Sequence, residues 1–169
     1  MQNVASHISS HNKKILKNTD GSSNNCNCRN KNLCPLPGRC QTPAVVYQGE
    51  ITVENDNESY NYMGHTEPVC KERFSDHNTS FTYENYRTKT DLSKKWWELK
   101  DAGKVPHITW SIVRRSSPYE SGSDHCNLCL WEKFHIMKGR DLLNSKDELV
   151  SYCKHVDKFL LKNFKARNR

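Results

Sequence analysis

Residues 44–64, AVVYQGEITV-ENDNES-YNYMG, decide the fold. The first ten alternate and are rich in β-branched side chains, which predicts a strand over Ala44–Val53. Glu54–Ser59 is polar and turn-forming, and Tyr60–Gly64 reads as the returning strand of a hairpin. A two-residue period puts Val45, Tyr47, Gly49 and Ile51 on one face of the first strand. Tyr60, Tyr62 and Gly64 share a face of the second. Downstream, Pro68 suits the first turn of a helix reaching about Asn78, with Val69, Cys70, Phe74 and Phe81 turned to a core. Thr90–Ala102 reads as a second helix: Thr90 or Asp91 caps it, Leu92, Trp96 and Leu99 form its stripe, and Gly103 stops it. His107–Val113 alternates again as a third strand. Cys129–Lys138 is expected as a third helix and Ser145–Cys153 as a fourth, begun by a Ser145–Glu148 capping box. The four tryptophans, Trp96, Trp97, Trp110 and Trp131, are expected in the core. Hairpin, helices, strand, helices is the order of a small α+β or α/β domain.

Upstream of the hairpin the composition changes. Residues 1–25 are rich in Ser, Asn, His and Lys with almost no apolar side chains, so a disordered polar leader is expected, His7 and His11 included. Residues 26–42 form a compact Cys-rich knot with Pro35, Pro37 and Gly38 as turn formers. The globular domain is set at residues 43–165, and residues 166–169 form a basic tail. With 169 residues and 34% apolar side chains, the chain has room for one modest core. Uncharged apolar stretches such as Ala44–Tyr47 fall far short of the roughly twenty residues of a membrane span. Residues 1–10 hold no apolar secretory region. No membrane partner is expected, and the location is nuclear or cytoplasmic, not secreted. Lys and Arg number 26 against 19 Asp and Glu, a net charge of +7 that suits a polyanionic partner and many ordinary soluble proteins alike.

Eight cysteines without a secretory signal point to metal ligation rather than disulfides. Cys126-x2-Cys129 is followed by Cys153-x-His155, a CxxC…CxH set that suits tetrahedral zinc. Cys26, Cys28, Cys34 and Cys40 form a second set in a loop with no other means of ordering itself. Buried thiols are the plain alternative for both. Cys70 lies on the apolar stripe of the first helix and reads as a core thiol. A RING finger fails on ligand count, because nothing after His155 supplies a further cysteine or histidine.

Two tyrosines on facing strands, an arginine on the next helix and a distant glutamate form a second constellation: Tyr47, Tyr62, Arg73 and Glu132. At these positions the sequence resembles the GIY-YIG nuclease family. Val45-Val46-Tyr47 stands where that family has Gly-Ile-Tyr, and Tyr62-Met63-Gly64 where it has Tyr-Ile-Gly. Arg73-x3-His77 resembles the helix arginine and the histidine one turn later, Glu132 the metal-binding glutamate, and Asn144 the asparagine of the last motif. The first motif departs from the family in its glycine and isoleucine, which are Val45 and Val46 here. The upstream run NCNCRNKNLCPLPGRC, Thr90-Asp91-Leu92-Ser93-Lys94 before Trp97-Glu98-Leu99-Lys100, and Cys126–Lys133 (CNLCLWEK) look like the zinc-containing variant joined to reverse transcriptases of Penelope-like retroelements. The resemblance spans roughly residues 26–163. It implies a three-stranded antiparallel sheet flanked by helices, a divalent-metal DNA endonuclease, Mg²⁺ for catalysis and one or two structural Zn²⁺. It also implies DNA, and a reverse transcriptase domain in a longer polyprotein, as partners.

Phosphodiester cleavage needs an activated water, a counter-charge for the transition state and a Lewis acid at the phosphate. Tyr47 is the expected proton acceptor, given nearby positive charge. Arg73 would neutralise phosphoryl charge, and His77, one turn on, would share its helix face and its phosphate. Glu132 would bind Mg²⁺. Tyr62 would orient water or phosphate, with His65 and Asn144 as accessories. The rival reading is a catalytically inactive, zinc-stabilised nucleic-acid-binding module. A third is an adaptor that binds protein through exposed aromatics. The ordinary alternatives are sheet-face tyrosines, a solvated Arg73–His77 face and a surface Glu132. The C-terminal Lys154, Lys158, Lys162, Lys165, Arg167 and Arg169 form either a DNA-contacting strip or a soluble tail.

Overall fold

The computed structural model describes residues 26–54, 58–120, 123, 125–151 and 153. The expected leader, His155, the C-terminal basic strip and the tail lie outside the described residues. Strand β1 (Val45–Val53) pairs antiparallel with both β2 (Ser59–Thr66) and β3 (Pro106–Arg115), giving a sheet of order β2-β1-β3. Mixed α/β architecture follows from helices α1 (Cys70–Thr82), α2 (Asp91–Asp101), α3 (Asn127–Lys138) and α4 (Lys146–Val150). No helix among the described residues is long and apolar enough to cross a membrane.

The alternation read from β1 holds. Val45, Tyr47 and Ile51 are buried with Phe74 and Phe81 of α1, Leu92 and Leu99 of α2, and Trp110 of β3 in the main core. Val46 points the other way, into a smaller cluster with Leu128, Cys126 and Cys129 at the start of α3. The sheet is therefore covered on both faces. Phe74 stacks on Trp110 with centroids 4.6 Å apart, and Phe81 stacks on Trp96 at 4.4 Å. Trp96 and Trp131 are half-buried and pack against the main and the smaller cluster, whereas Trp97 departs from the core expectation: it is half-buried, belongs to neither cluster and carries Lys100 over its ring.

Cross-strand glycines make room for rings. Gly64 faces Tyr47, and a Cβ there would lie 2.5 Å from the Tyr47 hydroxyl. Gly49 faces Trp110, and its Cβ would lie 2.7 Å from the indole. Each aromatic ring folds over the bare backbone of its partner, and no larger residue fits. A register shift between Val46 and Tyr47, with Val46 opposite Arg114 and Tyr47 opposite Ile112, leaves Val113 as an extra residue. This bulge bends the sheet beside Tyr47.

Element ends differ from the sequence reading in three places. α1 begins at Cys70, and Pro68 precedes the Val69 cap position. α3 begins at Asn127, two residues before Cys129. α4 ends at Val150, and the Ser145–Glu148 box is only half made. The Ser145 hydroxyl accepts from Glu148 N at 3.4 Å, but Ser145 N donates to Asp91 Oδ2 at 3.1 Å. That frees the Glu148 carboxylate for other partners.

Candidate active site and cysteine clusters

Tyr47 sits at the centre of the sheet and is 0% exposed. Its hydroxyl accepts from Arg73 Nε at 3.0 Å and lies 2.7 Å from His77 Nε2. Arginine can only donate, so the Tyr47 oxygen accepts there, and the His77 tautomer sets which partner donates in the second bond. His77 is 2% exposed, and burial, then the Arg73 charge, pull its pKa down to about 3. It is therefore a neutral imidazole at ordinary pH. Burial pushes the Tyr47 phenol up to about 12, although Arg73 opposes it. The structure thus brings Tyr47, Arg73 and His77 together. It places His77 beneath Tyr47 rather than on a surface beside Arg73, because the ring is packed 5.2 Å from Trp110 and 6.1 Å from Phe81.

Tyr62 is also buried, and its ring meets His77 edge-on at 6.2 Å. Its hydroxyl donates to Glu148 Oε1 at 3.2 Å. Asn144 holds the same edge of the sheet: its Oδ1 accepts from Met63 N at 2.8 Å, and its Nδ2 donates to Met63 O and to Glu148 Oε2, both at 2.7 Å. Leu143 N donates to Asn61 O at 2.8 Å beside an Asn61–Leu142 bridge. Residues 142–144 therefore act as a short extra rung that covers the outer edge of β2. Burial raises the pKa of Glu148, the one residue of this group that sequence reasoning missed. Its signal was present in the capping-box spacing and was assigned to the backbone instead of to Tyr62.

A cleft of about 420 Å³ opens where β2 ends, between α1 and α3, lined by His65, Glu67, Glu72, Arg73, Asp76 and Glu132 among others. His65 Nδ1 lies 2.7 Å from Glu132 Oε2, although the ring N–H is not aligned as a hydrogen bond requires. α1 delivers Arg73 and Asp76 from one face and α3 delivers Glu132 from the opposite side. Several carboxylates and one guanidinium meet there, so the cleft offers both oxygen ligands and a positive fork.

None of the eight cysteines forms a disulfide. The thiols of Cys26, Cys28, Cys34 and Cys40 lie within 4.8 Å of one another, and so do those of Cys126, Cys129 and Cys153. Cys26 and Cys34 sulfurs are 3.5 Å apart, and Cys28 and Cys40 sulfurs 3.7 Å. Four sulfurs about 2.3 Å from a tetrahedral zinc stand roughly 3.8 Å apart, and a disulfide needs about 2.05 Å. The spacing fits the metal. The Cys28 N–H donates to Cys26 Sγ and draws its pKa down to about 7, whereas burial pushes Cys40 up to about 12 and raises Cys129. A bound cation displaces the protons of such thiols and holds them as thiolates, the buried ones included. Both clusters can hold zinc.

The clusters also start two helices. Val69 gives α1 no side-chain cap, and the first helical amides turn to the knot instead: Cys70 N donates to Thr42 O at 3.1 Å and Lys71 N to Cys40 O at 2.8 Å. Cys70 itself is a core thiol donating to Thr42 O at 3.1 Å. Cys126 occupies the cap position of α3 without a side-chain cap bond. Thiolates at a helix N-terminus are favoured by the helix dipole. Cys129 then lies one turn before Glu132 on the same helix. Comparison with family models, curated proteins and solved structures finds no match to the chain.

Proposed function

We propose that this chain is a divalent-metal-dependent DNA endonuclease, with Arg73 and Glu132 addressing the scissile phosphate. One observation carries the reading: Arg73 reaches Tyr47 with its Nε while opening on the same cleft as Glu132 and His65. The guanidinium would hold a phosphate against the positive wall. Glu132, with Asp76 or Glu72 across the cleft, would hold Mg²⁺, because the donor set is rich in carboxylate oxygen. Mg²⁺ bound there supplies Lewis-acid polarisation of the phosphate. Tyr47 keeps its proton at neutral pH, is hydrogen-bonded to His77, and fixes Arg73 in place. The paired cysteine clusters fit structural zinc and hold the two helices that deliver Arg73 and Glu132. Nuclear or cytoplasmic placement, DNA as partner, and a reverse transcriptase domain alongside accompany this reading through the resemblance to the Penelope-type GIY-YIG nucleases.

A second reading is favoured by the complete burial of Tyr47, which suits a structural tyrosine in a binding module that does not cut. Nicking of supercoiled plasmid with Mg²⁺ separates the two. The nuclease reading expects nicking by wild type and a loss of about 100- to 1,000-fold in Arg73→Ala and Glu132→Ala, with zinc content unchanged in both and melting unchanged in Glu132→Ala. Arg73→Ala takes a donor from the buried Tyr47 oxygen and melts somewhat lower. Binding of plasmid without nicking across several metals selects the second reading. Full-rate nicking by both variants removes the site assignment.

A further inference from the structure

We infer that the apolar outer stripe of α3 is the docking site of the chain's own C-terminal segment, residues 156–164, packed there as an amphipathic helix. Leu130, Phe134 and Met137 are 55%, 44% and 68% exposed. They stand four and three residues apart on α3, so helix geometry sets them side by side along one ridge. Trp131 and His135 meet the Phe134 ring edge-on and Lys138 Nζ lies 5.8 Å over it, which leaves Leu130 and Met137 as the barest members. Three large apolar side chains in a row on a solvent face mark an interaction surface rather than scattered exposure.

The path of the chain identifies the occupant. On the helix surface Lys133 neighbours both Leu130 and Met137, and Cys126 neighbours Leu130, each at a spacing of three or four residues. Lys133 Nζ donates to Ser151 O, and the Cys153 sulfur lies within 4.8 Å of those of Cys126 and Cys129. The chain is thus held along the flank of the stripe as it reaches Cys153. Residues 155–165 then read HVDKFLLKNFK. Helical spacing puts Val156, Phe159, Leu160 and Phe164 on one face and Lys158, Lys162 and Lys165 on the other. As a helix, Val156 to Phe164 spans about 12 Å and Leu130 to Met137 about 10.5 Å, so the two apolar rows match in length.

A segment tethered so close to its site competes at an effective concentration on the order of millimolar, which a second copy of the chain does not reach at ordinary concentration. Docking there decides what the C-terminal lysines do. Glu132 lines the cleft from the side of α3 opposite the stripe. The segment therefore braces the helix that carries Glu132 from behind, and its lysines face solvent away from the cleft. The inference stands whether or not the cleft cuts DNA.

The test uses the zinc-loaded full chain with a photo-reactive benzophenone amino acid in place of Met137, an exposed site whose change spares the core. Irradiation, proteolysis and mass spectrometry should join position 137 to a peptide from residues 154–165. In a mixture of plain and isotope-labelled chains the joined peptides should share one label, which marks a bond within a single chain. Leu160→Glu should cut the yield by about tenfold or more with zinc content unchanged, because it removes a buried leucine from the contact. Lys158→Gln, on the opposite face, should crosslink as before. The inference is overturned if the joined peptides carry mixed labels, which would place a second copy on the stripe. It is equally overturned if position 137 joins elsewhere or nowhere, if Leu160→Glu leaves the yield intact, or if Lys158→Gln loses the crosslink as fully as Leu160→Glu does.

Discussion

The helices of this protein begin in two different ways. α2 and α4 start on hydroxyl caps, with Thr90 accepting from Ser93 N at 3.1 Å and Ser145 from Glu148 N at 3.4 Å. α1 and α3 start on cysteine clusters and lack a side-chain cap bond. The second pair also supplies Arg73 and Glu132 to the cleft. A hydroxyl cap is local and costs only about 1 kcal/mol to remove. A cluster ties a helix start to a distant part of the chain, and with zinc bound it can contribute a large share of the folding free energy. The difference teaches that the two helices serving the cleft depend at their starts on cysteine clusters, whereas α2 and α4 have side-chain caps of their own and add single distant bonds such as Ser145 N to Asp91.

Breaking a cluster should have the largest effect. Zinc-loaded protein should carry close to two zinc ions by elemental analysis. Cys34→Ser and Cys126→Ser should each lose one and lower the melting temperature by roughly 10 °C or more, since structural zinc supplies on the order of the whole stability margin. Cys70→Ser should keep both metals, because Cys70 belongs to neither cluster. Next in size is Gly64→Ala. Its new Cβ meets Tyr47 at 2.5 Å, so the ring must move, at about 1 to 3 kcal/mol in chemical denaturation.

A smaller effect separates Tyr47's partner from a metal site. His77 has a folded pKa near 3 against 6.5, so between those values the unfolded chain binds more protons and stability falls as the pH falls. By pH 5.5 wild type should lose about 1.4 kcal/mol through this group relative to pH 8, and His77→Gln should lack that component. Equal acid sensitivity in both proteins would remove His77 as the cause. Thr90→Ala should cost least, about 1 kcal/mol, with zinc content unchanged. A Thr90→Ala loss as large as that of Cys34→Ser would erase the contrast between the helix starts.

Much of this frame was legible in the sequence. Period-two alternation in Ala44–Val53 identified the buried face of β1, and cysteine spacing identified both clusters. The tyrosine pair, Arg73 and Glu132 were singled out as well, and Arg73 does meet Tyr47. What escaped were partners set by tertiary structure. Glu148 reads as a capping residue from spacing alone, yet the buried Tyr62 hydroxyl and the Asn144 amide claim its carboxylate. Helical spacing places His77 beside Arg73, but spacing is silent on depth, and packing against Trp110 buries it. Nor does any local signal tell that Cys40 and Thr42 carbonyls serve as the missing cap of α1.

Amide hydrogen exchange, followed residue by residue in wild type and in Cys26→Ser, tests the account most directly. Cys26 is one of the two half-buried members of the knot, with Cys28, and its loss leaves three thiols behind. The account expects the Cys70 and Lys71 amides, which donate to Thr42 and Cys40, to exchange at least about tenfold faster in the variant. The Ser93 and Lys94 amides at the start of α2 should keep their protection. Unchanged exchange at Cys70 and Lys71, or equal loss in the two helices, would contradict the claim that the cysteine knot holds the helix that carries Arg73.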